Sequence, residues 1–208
     1  MHREILNPNQ IDLLTLISSF KREYYLVEGT AIALYLGHRR SIDFDLFKYS
    51  TINHTKNLEK IKKFQFTYDI KRRVAEQMNI DIHDVKVTFS QYPFDIQSKT
   101  IFENIIKLPS LLDLAAMKSY ALGRRAKWKD YVDLYFLLTN GFSIEEISQR
   151  ANEIFKDLFS EKQFRAQLAY FDDINYSEEV EYMIPNPPSE EEVKEGLIEI
   201  ATDIFNIS

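Results

Sequence analysis

Two aspartates, Asp43 and Asp45, lie one residue apart in a short apolar segment. Residues two apart on a β-strand share a face, so on a strand these carboxylates would converge. Ile42, Phe44 and Leu46 would then face the core. Two carboxylates at that separation repel each other unless a positive charge lies between them. A hard divalent cation supplies that charge, and because Mg²⁺ also binds substrate phosphates, the pair predicts a Mg²⁺ site.

The positive charge near this pair could also come from the protein itself. Arg39 and Arg40 precede the aspartates by only a few residues. In one interpretation they bind a phosphate group through bidentate hydrogen bonds. In the other, one of them pairs with Asp43 or Asp45 and keeps that carboxylate ionised without a metal. The sequence leaves both interpretations open.

Gly29 and Thr30 predict a turn between a strand and a helix. Backbone N–H groups at the start of a helix form an anion site, and a glycine lets a phosphate approach the backbone closely. The alternative is that Gly29 only makes a tight turn. Together with the two aspartates, this turn favours a site for a phosphate bound through a metal ion.

The elements that would position these residues predict an α+β fold. The first half of the chain alternates helical and strand patterns, which predicts a small mixed sheet flanked by helices. Its predicted elements are a helix capped by Asn7 that begins at Pro8, strands at 24–27 and 42–47, helices at 31–36 and 55–64, and a β-hairpin of 66–82 and 85–92 that turns at His83 and Asp84. The lysine-rich helix at 55–64 would expose its charges to water.

The second half predicts a bundle of helices. Its predicted helices cover 110–122, 128–138, a segment after Ser143, residues 160–171 and a last segment after Ser189. We therefore expect an α/β core at residues 1–108. Residues 109–208 would form a helical region that completes the site and ends in an acidic tail.

Composition excludes several classes of protein. The 45% hydrophobic fraction indicates a globular chain, and the absence of cysteine excludes disulfides and thiolate metal sites. No apolar run reaches the roughly 18 residues that a membrane span needs, so no membrane partner is expected. The N-terminal residues lack an apolar signal segment, which favours a cytoplasmic protein.

The net charge of −6 is unevenly distributed, because residues 172–208 carry −10 and the remaining residues carry +4. A basic body is compatible with a polyanionic ligand. The acidic tail is either a solvated helix face or a segment that folds over the body and limits access of such a ligand. The basic loop at 124–129 likewise suits either a nucleic-acid backbone or solvent.

Two long segments carry a family resemblance. Residues 26–47, LVEGTAIALYLGHRRSIDFDLF, resemble the first motif of the AbiEii/AbiGii toxin family, a branch of the nucleotidyltransferase superfamily with a DNA polymerase β-like fold. Residues 112–138, LDLAAMKSYALGRRAKWKDYVDLYFLL, are similar to its second signature, in which Met-Lys is followed by Lys-Asp-x-x-Asp-Leu. The resemblance covers about residues 8–140.

The resemblance implies roles for the first motif. Asp43 and Asp45 would be catalytic residues that hold Mg²⁺ against the triphosphate of an NTP. Gly29 and Thr30 would cradle the phosphates.

The second signature implies a further set of site residues. Lys118 would be catalytic, reaching the triphosphate or helping to activate the acceptor. Lys129, Asp130 and Asp133 would contribute to nucleotide binding. Because Asp130 and Asp133 lie three apart on a helix, they are neighbours and either could hold Lys118 or an arginine in place.

The implied reaction is nucleotidyl transfer to a hydroxyl of RNA, for example a tRNA 3′ end, or of a protein, and the implied partner is a cognate antitoxin. Two residues keep alternatives open. Glu28 replaces the first glycine of the family's Gly-Gly-Thr, and Thr88 stands where the superfamily typically has a third carboxylate. One alternative is a binding module with weak or no catalysis, and the other is an enzyme that modifies an antibiotic-like small molecule.

Overall fold

The computed structural model describes residues 1–203 and has the expected α+β architecture. In that part of the chain, a seven-stranded mixed sheet is accompanied by eight α-helices. The chain divides into two compact units, Met1–Ser110 and the helices that follow from Leu111. The first unit contains the whole sheet.

The sheet is mixed because both parallel and antiparallel pairs contribute to it. Its strands are β1 Tyr25–Val27, β2 Phe44–Lys48, β3 Asp69–Val74, β4 Gln77–Ile82, β5 Val85–Gln91, β6 Thr100–Phe102 and β7 Ile106–Leu108, in the order β3-β4-β5-β2-β1-β7-β6. Strand β2 runs antiparallel to β1 and parallel to β5. Asp45 of β2 therefore lies in the middle of the sheet, and Asp43 directly precedes this strand.

Three α-helices belong to the first unit. They are α1 Pro8–Ser18, α2 Glu28–Leu36 and α3 His54–Lys63. The side chain of Asn7 caps α1, as the sequence predicts, and Gly37 ends α2 in the left-handed conformation with φ of 66°. The rings of Phe20, Tyr24 and Phe89 pack edge to face, so the core lies between β5 and the end of α1.

The second unit is helical. Its α-helices are α4 Leu111–Leu122, α5 Trp128–Asn140, α6 Ile144–Phe155, α7 Glu161–Leu168 and α8 Glu190–Thr202. Capping boxes at Ser143 and Ser189 start α6 and α8. Val193 and Leu197 of α8 are fully buried. Residues 190–202 of the acidic tail thus form an integral helix of this unit, and residues 204–208 lie outside the described part.

The predicted hairpin is only partly correct. Strands β4 and β5 do turn at His83 and Asp84, which both have positive φ. The predicted first arm, 66–82, is wrong because it contains two strands, β3 and β4, joined at residues 75 and 76. Every residue of β3 is exposed, so this edge strand lacks the apolar alternation from which a strand is predicted.

Smaller differences concern the site itself. Helix α2 begins at Glu28, three residues earlier than predicted. Ile42 is 44% exposed instead of buried, because β2 begins only at Phe44. The β6–β7 hairpin was not predicted, since strands of three residues are too short to show a period. No helix within residues 1–203 has both the length and the apolar character needed to cross a membrane.

Candidate active site

The candidate site lies where the end of β1 meets the start of β2. Val27, the last residue of β1, is paired with Asp45 of β2. Helix α2 begins at the next residue, Glu28, which has a left-handed backbone conformation with φ of 59°. The first turn of α2 and the two aspartates are therefore brought to the same end of this strand pair.

The carboxyl group of Asp45 retains its proton unusually well. Desolvation is the largest reason why its pKa rises to about 7, and the negative charges of Glu28 and Asp43 raise it further. Lys86 and a hydrogen bond with Thr88 act in the opposite direction. A carboxylate in such surroundings is stabilised when a cation binds beside it.

Asp43 is held through both its side chain and its main chain. Its carboxylate forms an ion pair with Lys86 Nζ at 2.7 Å. Its carbonyl oxygen accepts a hydrogen bond from the hydroxyl of Thr30, and Thr30 Oγ1 also lies 2.8 Å from Ser41 Oγ. Because Thr30 is 1% exposed, its side chain fixes the segment that carries Asp43.

Strand β5 supplies the polar groups beside the aspartates. Thr88 is the register partner of Asp45, and it contributes a neutral hydroxyl. Lys86 lies two residues earlier on the same face of β5. Lys86 is not among the site residues expected from the sequence, although the buried residues Val85 and Val87 alternate with it. That alternation identifies Lys86 only once the pairing of β5 with β2 is known.

Gly29 allows a close contact with Arg39. A Cβ atom at position 29 would lie 2.4 Å from Arg39 Nη2, so a larger residue would displace the guanidinium group. Arg39 is 2% exposed, and its Nη1 donates to the carbonyl oxygen of Arg40 at 2.9 Å. Arg40 donates to the carbonyl oxygen of Ile5 at 3.4 Å. Both arginines thus bind backbone of the first unit.

The chemistry of the aspartate pair fits a hard divalent cation. Asp43 and Asp45 offer carboxylate oxygens, the ligand type that Mg²⁺ prefers. Desolvation and then the negative charges of Glu28 and Asp43 raise the pKa of Asp45, so a cation beside it would be stabilising. Within residues 1–203, no group of three or more His, Cys, Asp or Glu side chains is arranged to hold a metal ion. A cation here would take two protein carboxylates and keep positions for water or phosphate oxygens.

The second signature forms a buried ionic cluster within the helical unit. Lys118 of α4 is 3% exposed, and its Nζ lies 2.7 Å from Asp130 Oδ1 and 3.4 Å from Asp133 Oδ2. Arg125 Nε lies 2.8 Å from the other oxygen of Asp130. The side chains of Asp130 and Asp133 are 4% and 0% exposed. The two carboxylates of α5 therefore hold the ammonium group of Lys118.

Lys129 and the basic loop have partners within the same unit. Glu178 lies 2.6 Å from Lys127 Nζ and 3.2 Å from Lys129 Nζ. Burial opposes the ionisation of Glu178, yet the hydrogen bonds from these lysines lower its pKa to about 2. Arg124 stacks on the ring of Tyr120 at 3.6 Å. Much of the positive charge of this loop is therefore engaged within the protein.

Comparison with known proteins gives a family match and a remote relative. Residues 17–197 match the model of a protein family, described as nucleotidyl transferase AbiEii toxin, type IV TA system. A curated protein of Aquifex aeolicus (strain VF5), described as uncharacterized, is 26% identical over 144 residues. That alignment covers 65% of this chain and 68% of the relative.

Several solved structures share the fold. MenT4, a nucleotidyltransferase toxin of Mycobacterium tuberculosis H37Rv, matches with a TM-score of 0.62 at 13% identity, covering 96% of this chain and 82% of its own. JHP933 of Helicobacter pylori matches at 0.55 and 16% identity, covering 99% and 90%. The antibiotic-resistance factor ANT(2'')-Ia matches at 0.51 and 12% identity, covering 69% and 90%.

Proposed function

This chain belongs to the AbiEii nucleotidyltransferase toxin family, and we propose that it transfers a nucleoside monophosphate from an NTP to a hydroxyl group with the help of Mg²⁺. The acceptor is a hydroxyl of RNA, for example at a tRNA 3′ end, or of a protein. The type IV family implies a cognate antitoxin as a further partner. A cytoplasmic location would supply the NTP for this reaction.

The aspartate pair is the observation that carries this proposal. Asp43 and Asp45 lie beside the first turn of α2, and desolvation, followed by the negative charges of Glu28 and Asp43, raises the pKa of Asp45 to about 7. A pair that served only the stability of the fold would not need to keep two acids together with Glu28 nearby. We propose that both aspartates bind the metal ion.

The surrounding residues would position the nucleotide. The first N–H groups of α2, at Gly29 and Thr30, have no partner within a regular helix and are suited to phosphate oxygens. The guanidinium group of Arg39 packs against the backbone of Gly29 in this turn. Arg40 is less buried, and we propose that it contacts phosphate.

Lys118 is the proposed catalytic residue of the helical unit. The family resemblance gives it a role on the triphosphate or the acceptor, and its contacts show how its ammonium group is oriented by Asp130 and Asp133. Lys129 is the remaining proposed nucleotide-binding residue of this signature.

The reaction forms one phosphorus–oxygen bond and breaks another. The acceptor oxygen bonds to the α-phosphorus of the NTP, the bond from that phosphorus to the bridging oxygen breaks, pyrophosphate leaves, and the hydroxyl proton passes to water. A bound Mg²⁺ would neutralise charge on the phosphates. Asp43 and Asp45 would orient the nucleotide by holding that ion, and Thr30 keeps Asp43 in place.

The proposal is tested by label transfer. The protein is incubated with each of the four α-³²P-labelled NTPs, Mg²⁺ and either total RNA or an RNA-free protein extract. We expect label on one class of acceptor, and no label when EDTA is present. Asp43→Ala and Asp45→Asn should each lower transfer by at least about 100-fold, because the metal ligands would be lost.

A matched control tests whether replacing an aspartate elsewhere in the sheet also lowers label transfer. Asp84 lies in the exposed β4–β5 turn of the same sheet, so Asp84→Asn should transfer label at the wild-type rate. Equal transfer by the Asp43→Ala variant, or none by the wild-type protein with any NTP and acceptor, would reject the proposal.

A nucleotide-binding module without catalysis is the second candidate. It is favoured by Thr88, which places a neutral hydroxyl beside Asp45. Isothermal titration calorimetry with Mg²⁺ and NTP distinguishes the two. Binding that depends on Asp45, without label transfer to RNA, protein or an antibiotic-like small molecule, would establish the binding module.

A further inference from the structure

A groove of about 660 Å³ lies between the turn after α1 and helix α3. Four cationic side chains line it, together with one carboxylate, and we call it the lysine groove. These residues are Lys21, Arg22, Lys56, Lys60 and Glu23. The hydroxyl-bearing residues Ser18 and Ser19 complete its lining.

The charges of the lysine groove are not balanced. Glu23 lies 3.0 Å from Lys56 Nζ and 2.8 Å from Lys60 Nζ, so two ammonium groups share one carboxylate. The hydrogen bond from Lys60 is the largest reason why the pKa of Glu23 falls to about 2. Lys21 donates to the carbonyl oxygen of Asn104 at 2.9 Å, and this ammonium group forms no ion pair with a carboxylate of residues 1–203.

A further lysine adds to this positive field. Lys48 of β2 lies with its Nζ 5.1 Å from the ring centroid of Tyr24. Desolvation lowers the pKa of Lys48, Glu23 opposes that shift, and the charges of Lys56 and Lys60 lower the pKa further. Crowded ammonium groups of this kind are stabilised by a bound anion.

The spacing of the lysines suits a chain of phosphates better than a single one. Lys56, Lys60 and Lys63 recur at intervals of four and three residues, so they share one face of α3. They span about 10 Å at 1.5 Å per residue. A nucleic-acid strand presents a negative charge at every nucleotide, whereas a free nucleotide would engage only one end of this row.

The lysine groove and the aspartate pair lie on opposite faces of the sheet. Lys48 shares a face of β2 with the buried residues Phe44 and Leu46, while Asp45 points to the other face. Phe89 of β5 packs on Phe20 on the groove side. A molecule that touches both surfaces must therefore pass around the sheet, which a polymer can do and a small acceptor cannot.

We propose that the lysine groove binds the sugar–phosphate backbone of an RNA acceptor, at a distance from the aspartates. This inference rests on the proposed function, and it selects RNA as the acceptor over a protein or a small molecule. Serine hydroxyls and lysine or arginine side chains are the groups that commonly contact nucleic-acid phosphates.

The test measures RNA binding by the full chain. Fluorescence anisotropy follows a labelled single-stranded RNA of 20 nucleotides, with unlabelled total tRNA as competitor, at several salt concentrations. Arg22→Gln combined with Lys56→Gln removes two exposed cations of the groove. We expect about tenfold weaker binding at 0.1 M salt. The slope of log K against log salt should fall by about 1.4, because each phosphate contact on a single strand contributes about 0.7.

The matched control makes the same change of charge elsewhere. Lys99→Gln combined with Lys162→Gln replaces two exposed lysines outside the groove. This variant should bind RNA within about twofold of the wild type. Both double variants should bind a fluorescent NTP with Mg²⁺ normally, since none of the four residues has a proposed role in binding the nucleotide or the metal ion.

Three outcomes would overturn the inference. They are unchanged RNA affinity in the groove variant, equal losses of RNA affinity in both double variants, and displacement of RNA by poly-glutamate as effectively as by unlabelled RNA at equal charge. The last result would indicate an acidic protein as the occupant.

The proposed function is tested separately from the RNA-binding surface. If the wild type binds RNA through the groove but transfers no label, the binding surface stands and the enzymatic proposal falls. If Asp43→Ala abolishes transfer while the groove variant binds RNA normally, the enzymatic proposal stands and the proposed RNA-binding surface falls.

Discussion

At the scale of single residues, the charges around Asp45 determine the chemistry of the site. Glu28 and Asp43 contribute negative charge, and Lys86 contributes the opposing positive charge. The sequence identifies the two aspartates and marks Glu28 and Thr88 as unusual. It does not identify Lys86, because the partner of Asp43 lies 43 residues away on a strand whose register only the folded sheet defines.

The raised pKa of Asp45 predicts a pH-dependent stability in the presence of EDTA. The folded protein keeps this proton up to about pH 7, whereas the unfolded chain releases it near pH 4. Raising the pH from 4 to 7 therefore removes stability, since the folded state binds more protons. The free energy of unfolding of Asp45→Asn, measured relative to that of the wild type, should therefore rise by at least about 1 kcal/mol over this pH range. Urea denaturation of both proteins at pH 5 and pH 8 measures the change, and a constant difference would contradict it.

The effect of Glu28 on Asp45 predicts the result of restoring the family's glycine. Glu28→Gly removes a negative charge, so the pKa of Asp45 should fall, as measured by carbon-13 NMR of its carboxyl group. Glycine also accepts the left-handed backbone at this position. Gln65 has the same φ of 59° and is exposed, so Gln65→Gly serves as a control that should leave the pKa of Asp45 unchanged.

At the scale of elements, α4 and α5 are joined by charges that are almost completely buried. Lys118 bridges Asp130 and Asp133, which are three residues apart on α5. The helical periods predict that the two aspartates are neighbours. They do not predict that the pair is buried, because burial depends on the packing of α4 against α5.

Removing the ammonium group from this cluster should destabilise the helical unit. Lys118→Met leaves two buried carboxylates without their shared lysine, and breaking such a buried pair typically costs about 3–5 kcal/mol. Lys127→Met removes a lysine from a half-exposed ion pair with Glu178 and should cost less than about 1 kcal/mol. Guanidinium denaturation compares the two variants. Equal decreases in the free energy of unfolding of the two variants would show that the buried cluster contributes no more to stability than the half-exposed ion pair.

At the scale of the whole molecule, the chain combines a basic body with an acidic final helix. From sequence, residues 172–208 are an acidic tail that is either a solvated helix face or a segment folded over the body. The structure corrects that view, since α8 buries Val193 and Leu197. A truncation would remove part of the core of the second unit. Neutralising exposed carboxylates is therefore the cleaner way to examine the charge of this segment.

Neutralising one exposed face of α8 should favour RNA binding at low salt. Glu191, Glu195 and Glu199 are exposed and recur every four residues, so Glu→Gln at all three removes charge without touching buried positions. RNA affinity should rise about two- to fivefold at 0.02 M salt, because long-range repulsion is reduced. The gain should vanish at 0.3 M salt, where screening is strong. Anisotropy at both salt concentrations measures it, and an unchanged affinity at low salt would exclude a role for the tail in RNA access.

The sequence by itself determined the local features of this protein: the capped helix starts at Asn7, Ser143 and Ser189, the β4–β5 turn, and the two motifs that indicate the family. These depend on residues that are neighbours along the chain. Only the tertiary structure decided what surrounds Asp45, that Lys118 is buried, and that the turn after α1 meets the lysines of α3. Strand register and helix packing join residues far apart in sequence, and the desolvation that shifts a charge exists only after that packing forms.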